Sequence, residues 1–570
     1  MPLRLRLASS FAAVMLLGTA VSIPTYVSAQ QNGSGVSTVG AYLSANAAAS
    51  RSDLLAAAYF YRVIFDRNPG NTQLAARVLL LWTEAGEIDE AARMADVVLS
   101  ANAGYEPARM VLASRAIQDG DFGVAQMHLD AIAGDSLARV TSGVLTAWMS
   151  AGNGEIDVAL EHLADMDESR LFQAFHAALI ADLDGRSDLA LAFISKVYEP
   201  GSSQRLTEAF ARILARNGLF ADAESVLADF LSNAPNHPTL GPLLNDIRAG
   251  AEIAPMVETA QQGAAELFYG LASSLVGDQA FDTAIIYLQF ARYIGASGDM
   301  PAALLGQILQ AQQRHGEAAL VFDSIGAESP FYRLAAIGAS LSDSRLGFTE
   351  RAAARLEPIT AADPKYVDAA SALAGIYASQ QRWDDVIALL TTAIDLAEVF
   401  QAEDWQIFYQ RGVALERVGR WEEAEVEFRR ALALSPDQPD VLNYLGYTWV
   451  DRGENLIEGL DMIERAAELS PNSGAIIDSL GWAYYQLGDF EIAVAALETA
   501  VLLSPSHPVI LEHLGDAYWR VGRTLEAGYK WSQALGEEPD EDMAERLRDK
   551  LDSGLPTLAD GAAGGVFEIN

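Results

Sequence analysis

Not one of the 570 residues is cysteine, which excludes disulfides, thiolate metal sites and cysteine nucleophiles. It also excludes a bacterial lipoprotein anchor, which is built on a cysteine at the mature N-terminus. Cationic residues are scarce as well. Lys and Arg number 38 against 77 Asp and Glu, a formal charge of −39, and lysine occurs only at Lys196, Lys365, Lys530 and Lys550. Such a surface repels polyanions, so nucleic acid and anionic lipid headgroups are disfavoured partners. A basic protein would be steered inward, although solubility alone accounts for an acidic balance. Long apolar runs are missing too. None approaches the roughly 20 residues that span a bilayer. The seven histidines (His128, His162, His176, His237, His315, His507 and His513) never fall at metal-ligand spacing. No phosphate-binding glycine loop, serine nucleophile elbow or calcium loop occurs. The chain is therefore expected to be neither an enzyme nor a cofactor carrier.

What the sequence does hold is a beat. Gly412, Gly446, Gly481 and Gly515 are spaced 34, 35 and 34 residues apart, and Pro436, Pro471, Pro505 and Pro539 follow at 35, 34 and 34. Ala431, Ala466, Ala500 and Ala534 keep the same phase. Small residues recurring at this period mark a solenoid of stacked helix pairs, each burying its apolar face against its neighbours. Its apolar fraction of 51% is ample for that packing.

At the start, Arg4 and Arg6 precede a short apolar stretch from Phe11 to Val21, and Val27-Ser28-Ala29 offers a small-x-small cleavage site. This pattern predicts a cleavable secretory signal over 1–29 and a periplasmic location without a lipid anchor. A Gly/Ser/Gln linker is expected over 30–37. Degenerate repeats are expected over 38–235, seen in Ala57 and Tyr61, in Gly86, Ala91 and Ala95, and in Gly120, Ala125 and Leu129. Further units centre on Trp148 and Ala159, Gly185 and Ala190, and Gly218 and Ala223. Pro235, Pro238, Pro242 and Pro255 then crowd together, predicting an irregular joint over 236–262. Repeats resume over 263–396 and become regular over 405–539. A capping helix is expected over 540–553, ended by Gly554, with a flexible tail over 554–570. Val566–Asn570 in that tail has the composition of a strand able to join a partner's sheet.

Within the unit from Trp405 to Gln438, Gly412 is small where the first helix nears the second, and Ala424 and Ala431 are small on the facing side. Phe428 fills the wedge, Gly419 ends the first helix and Pro436 stops the second. The next unit carries one extra residue between Gly453 and Gly459, in its inter-helix turn.

This block resembles the tetratricopeptide repeat family. Gly481, Tyr484, Ala493, Leu497, Ala500 and Pro505 stand at the family's signature positions, as do Gly515, Tyr518, Ala527, Trp531, Ala534 and Pro539. Leu415, Trp449 and Gly459 are mild departures. The resemblance implies an all-α solenoid of 13–14 helix pairs forming a right-handed superhelix. It also implies a concave wall lined by first helices, presenting Tyr409, Val413, Glu416, Arg417, Asn443, Tyr447, Asp451, Asp478, Trp482, Tyr485, Gln486, Glu512, Asp516, Trp519 and Arg520. Aromatic groups with polar handles suit capture of a peptide or a partner's helix. The phases that carry a carboxylate clamp in some members hold Tyr409, Asn443, Asp478 and Glu512, so capture of a terminal carboxylate is not expected.

The stretch Asn443–Asn455, with Asp478–Trp482 and Glu512–Asp516, is similar to exported proteobacterial repeat proteins. Some of these are adaptors that deliver peptidoglycan hydrolases to a carboxyl-terminal processing protease. The resemblance thus implies an exported scaffold or adaptor for cell-envelope proteins, with such a protease and its clients as partners. The alternative is a structural component of an envelope export or assembly machine, for polysaccharide secretion or outer-membrane protein assembly.

Overall fold

The sequence interrupts itself at short, regular intervals, and each interruption ends a helix. The computed structural model describes residues 37–51, 53–132, 136–166, 169–295, 298–397 and 399–556. Among these are thirty α-helices, one short 3-10 turn at Ala402–Asp404, and no strand. Twenty-eight of the helices form fourteen helix–turn–helix pairs, six before the helix Leu240–Arg248 and eight after it, which is the all-α solenoid the beat predicts. The expected signal over 1–29, nearly all of the linker, and residues 557–570 of the tail lie outside the described residues.

Local chemistry explains the punctuation. Gly419 and Gly488 leave their helices with φ of +78° and +90°, a conformation costly for any residue with a Cβ. Gln279, Gln313 and Gln381 occupy the matching turn with φ of 60°, 61° and 58°. The extra residue near Gly453 falls in the turn between Pro439–Asp451 and Leu456–Leu469, where Asn455 takes φ +43°.

Neighbouring repeats are joined by a recurring bond. The Tyr377, Tyr484 and Tyr518 hydroxyls donate to Glu357, Glu464 and Glu498 at 3.0, 2.6 and 2.7 Å, each glutamate lying twenty residues earlier. Arg382 and Arg523 then cover the Tyr377 and Tyr518 rings at 3.9 Å, adding a cation–π contact.

The described chain divides into two compact units, and the division falls between Ala352 and Ala353 in the helix Thr349–Ala362. In the first, the wall built by the first helices of the early repeats is filled from within the unit. Of the stretch 236–262 expected to be irregular, Leu240–Arg248 forms a helix, because Pro242 sits in its first turn where no amide donor is needed. After it, Ala260–Gly277 packs across Glu106–Asp119, Ser136–Gly152 and Arg170–Leu183, and Phe281–Ile294 packs across Thr72–Glu84 and Glu106–Asp119.

Phe268, Leu271, Tyr287 and Phe290 are buried in this contact, each worth about 1.5–3 kcal/mol of transfer free energy. Polar groups pin it at both ends. Gln289 Nε2 donates to the Glu84 carbonyl at 2.8 Å, Tyr293 donates to Asp89 at 2.8 Å, and Arg314 pairs with Glu84 at 3.0 Å. Arg205 grips both oxygens of Glu266 at 2.8 and 2.6 Å.

The second unit carries the regular block. Its glycines mark where paired helices touch: a Cβ on Gly412 would lie 2.8 Å from Phe428, and one on Gly446 would lie 2.7 Å from the Gly459 carbonyl. Gly459 thus stands where other repeats have alanine because it faces another glycine. Glu541–Ser553 closes the stack, with the Asp540 carboxylate accepting from Met543 N at 2.8 Å and Met543, Ala544 and Leu547 buried. No helix among the described residues is long and apolar enough to cross a membrane.

Candidate functional site

Four helices of the second unit carry the side chains that repeat phasing assigns to an inner wall: Trp405–Arg417, Pro439–Asp451, Gly474–Leu487 and Pro508–Arg520. Their main packing partners are helices of their own and adjacent repeats, with the capping helix beyond the last.

On the first helix, Tyr409 is half-buried in a cluster with Trp405, Phe428 and Tyr444, ring centroids 5.9–6.0 Å away. Burial holds its phenol well above the ordinary range. Val413 is half-buried and Arg417 exposed. Glu416 accepts from the Tyr444 hydroxyl at 3.0 Å. On the second helix, Asn443 and Tyr447 are half-buried and Asp451 is exposed. The Tyr447 phenol is also held high, first by burial and then by the nearby carboxylates of Asp451, Asp478 and Glu512.

The third and fourth helices form a tighter group. Trp482 is sandwiched between Tyr485 (4.7 Å, interplanar angle 8°) and His513 (4.2 Å, 19°). His513 Nδ1 meets both oxygens of buried Asp478 at 3.0 Å. Burial alone would lower the His513 pKa, but Asp478, with Asp516 and Glu512, raises it above the ordinary value. Arg520 donates to the Tyr485 hydroxyl at 3.0 Å and to the Pro556 carbonyl at 2.6 Å. Gln486 is half-buried at the end of its helix.

Glu512 and Asp516 are buried and share Lys550 of the capping helix, at 2.8 Å and at 2.7–2.9 Å. Arg546 reaches Glu512 at 3.5 Å. Burial works against charge on both acids, yet these cations leave the Glu512 pKa below its ordinary value. Asp516 stays above its own despite Lys550. It also accepts from Trp531 Nε1 at 2.9 Å.

The residues that phasing assigns to the wall thus divide. Asn443, Tyr447 and Trp482 lie on one half-open stretch of wall, whereas Tyr485 and Asp478 are buried and Arg520 holds Tyr485 and the Pro556 carbonyl. Asp516 is tied into the cap. Trp519 rests on Trp531 at 5.5 Å and against Gly554, where a Cβ would overlap its indole. Tyr409 belongs to an aromatic cluster one repeat earlier. Two polar atoms on the half-open stretch are shielded from water without a hydrogen-bond partner: Asn443 Oδ1 and Trp482 Nε1. Sequence reading missed His513 and Lys550. His513 was weighed only as a metal ligand, and Lys550 lies on a helix read as a cap. Their shared signal is position, since each stands about one repeat after an acid it pairs with. Among the described residues no group of three His, Asp or Glu is placed to hold a metal ion.

Comparison with known proteins agrees with the geometry. Residues 339–399, 405–448 and 479–542 match tetratricopeptide repeat family profiles. An 86-residue stretch is 36% identical to the TPR repeat-containing protein PA4667 of Pseudomonas aeruginosa, covering 15% of this chain and 15% of that protein. Among solved structures, the APC/C hetero-tetramer Cut9–Hcn1 aligns over 91% of this chain and 96% of that one, at 16% identity and a TM-score of 0.41. YrrB, a TPR protein with an unusual peptide-binding site, aligns over 34% of this chain and 97% of its own, at 18% identity and a TM-score of 0.28. The matched stretches of this chain are tetratricopeptide repeats.

Proposed function

We propose that the chain is a protein-interaction scaffold whose binding surface is the inner wall around Tyr447, Trp482 and Tyr485. The observation that carries this reading is Trp482, which stays half-buried on the wall although Trp148, its counterpart in the first unit, is completely covered. Trp, Tyr and Arg are also the side chains that dominate binding hot spots. The filled wall of the first unit supports placing the groove here, since helices 260–294 already occupy the corresponding surface there.

An exported, cell-envelope location is part of the proposal and rests on the pattern of residues 1–29. Its most specific form, presentation of clients to a carboxyl-terminal processing protease, rests on the resemblance of 443–455 and its neighbours.

The test is a crosslinked pull-down from the periplasm, comparing wild type with Trp482→Ala and Asn443→Ala after circular dichroism shows both are folded. Partners lost in both variants support the groove. A protease recovered together with wall hydrolases selects the adaptor role, and co-purifying membrane barrels select an assembly-machine role. An identical partner set in all three proteins removes the wall from consideration.

A further inference from the structure

The repeat's inner wall is occupied once already, inside this chain. Trp148 stands eleven residues ahead of Ala159, and Trp482 stands eleven ahead of Ala493. Both alanines are fully buried on the second helix of their repeat. The two tryptophans therefore hold one phase of the repeat, and each meets a histidine from the repeat that follows. Trp148 Nε1 donates to His176 Nδ1 at 3.1 Å, with the rings 6.0 Å apart. Trp482 stacks on His513.

What differs is the cover. Trp148 is completely buried because helix Ala260–Gly277 crosses it with Gly263 laid against the indole, so closely that a Cβ there would overlap the ring. Three residues on, that helix offers Glu266 to Arg205 of the wall. Trp482 is only half-buried and its Nε1 has no partner.

We infer that the wall around Trp482 receives an α-helix from a partner protein, seated with a glycine or other small residue against the indole, as Ala260–Gly277 is seated on Trp148. This rests on the groove reading above and adds the occupant. The wall specifies more of that helix. A helix satisfies its own backbone, so it can lie across the exposed part of the Trp482 ring without stranding a polar group of its own. Charge runs opposite to the first unit. There an arginine of the wall meets a glutamate of the helix; here Asp451 stands exposed four residues after Tyr447, on the same helix face. The occupant is thus a helix bearing Lys or Arg about one turn from its small residue.

The probe is a fluorescein-labelled, hydrocarbon-stapled 18-residue peptide with the sequence of Ala260–Gly277, carrying Glu266→Lys and stapled on the face away from Gly263. Its anisotropy is titrated against the full chain. Saturable binding is expected, weakened about tenfold by Gly263→Leu in the peptide and about tenfold by Trp482→Ala in the chain. Trp482→Phe keeps an aromatic ring beneath the helix and is expected to weaken binding less than Trp482→Ala does. Asp451→Asn is expected to reduce both affinity and its salt dependence. An unstapled Leu271→Pro peptide that binds as tightly shows an extended occupant and overturns the inference. So does an affinity untouched by Trp482→Ala, or no binding up to about 1 mM. If the pull-down still loses partners in Trp482→Ala, the groove stands and only the helix falls. If it does not, both fall.

Discussion

His513 holds its Nδ1 3.0 Å from both carboxylate oxygens of Asp478, beneath the face of Trp482. The pair is buried and charged, so its strength depends on a proton. Asp478, Asp516 and Glu512 face the imidazole, and Lys550 and Arg546 of the capping helix compensate the last two.

The consequence is a stability that falls with rising pH. Burial alone would lower the His513 pKa, but the three carboxylates carry it above its ordinary 6.5. A histidine with a raised folded-state pKa contributes fully below the unfolded value and loses that contribution as pH rises through the folded one. Thermal unfolding between pH 6 and 9 should therefore show the second unit weakening upward from about pH 6.5, and His513→Gln should flatten the slope. Parallel slopes in wild type and variant would show that His513 is not protonated in the fold.

Gly263 and Trp148 set the packing of the first unit. Ala at 263 needs space the indole already fills, and Trp148 is anchored by its bond to His176. Overpacking of this kind costs about 1–3 kcal/mol. Gly263→Ala should lower the urea midpoint and speed hydrogen exchange in 260–294. Gly123, with open space around its Cα, serves as the control, since Gly123→Ala should do neither.

The helix-capping turns offer a stabilising change. Gln381 takes φ +58° in a turn where other repeats place glycine. A side chain in that region costs about 1 kcal/mol, offset in part by the greater freedom of unfolded glycine. Gln381→Gly should raise stability by about 0.5 kcal/mol, whereas Gly419→Ala should lower it by about 1 kcal/mol. Thermal melts that rank the two variants the other way would defeat the argument.

How much of this was legible in advance follows from sequence distance. Gly412, Gly446, Gly481 and Gly515 were readable because each touches the second helix of its own repeat, and a contact within one repeat recurs with the period. The Tyr484–Glu464 and Tyr518–Glu498 bonds are periodic as well, and a search for Tyr with Glu twenty residues earlier would have found them. The cover over the first wall was not readable. Gln289 to Glu84 and Arg205 to Glu266 are single long-range pairs with no repeat to amplify them. The crowded prolines told that the chain bends, but not where it goes afterwards. On the candidate wall, spacing placed Trp482 and Trp519 at one surface but could not separate them. Their difference lies in Trp531 and Gly554, which claim Trp519 for packing.

Arg205 provides the sharpest test of the filled wall. It binds both oxygens of Glu266 and one of Glu208, at 2.6–2.8 Å, and Glu208 and Glu266 are both buried. Burial opposes its charge, but the two glutamates outweigh that and raise its pKa further. Glu208 has a second cation in Arg212, at 3.0 Å, so loss of Arg205 strands Glu266 in particular. Arg205→Met should cost about 3–5 kcal/mol, because a buried charge without a partner is worse than none. Adding Glu266→Leu should recover most of that loss, since an apolar pair needs no desolvated charge. Urea unfolding of the two variants decides it. If the double variant is as weak as the single one, the arginine acts through packing rather than through its charge. If both match wild type, helix Ala260–Gly277 is not held to the wall by this pair.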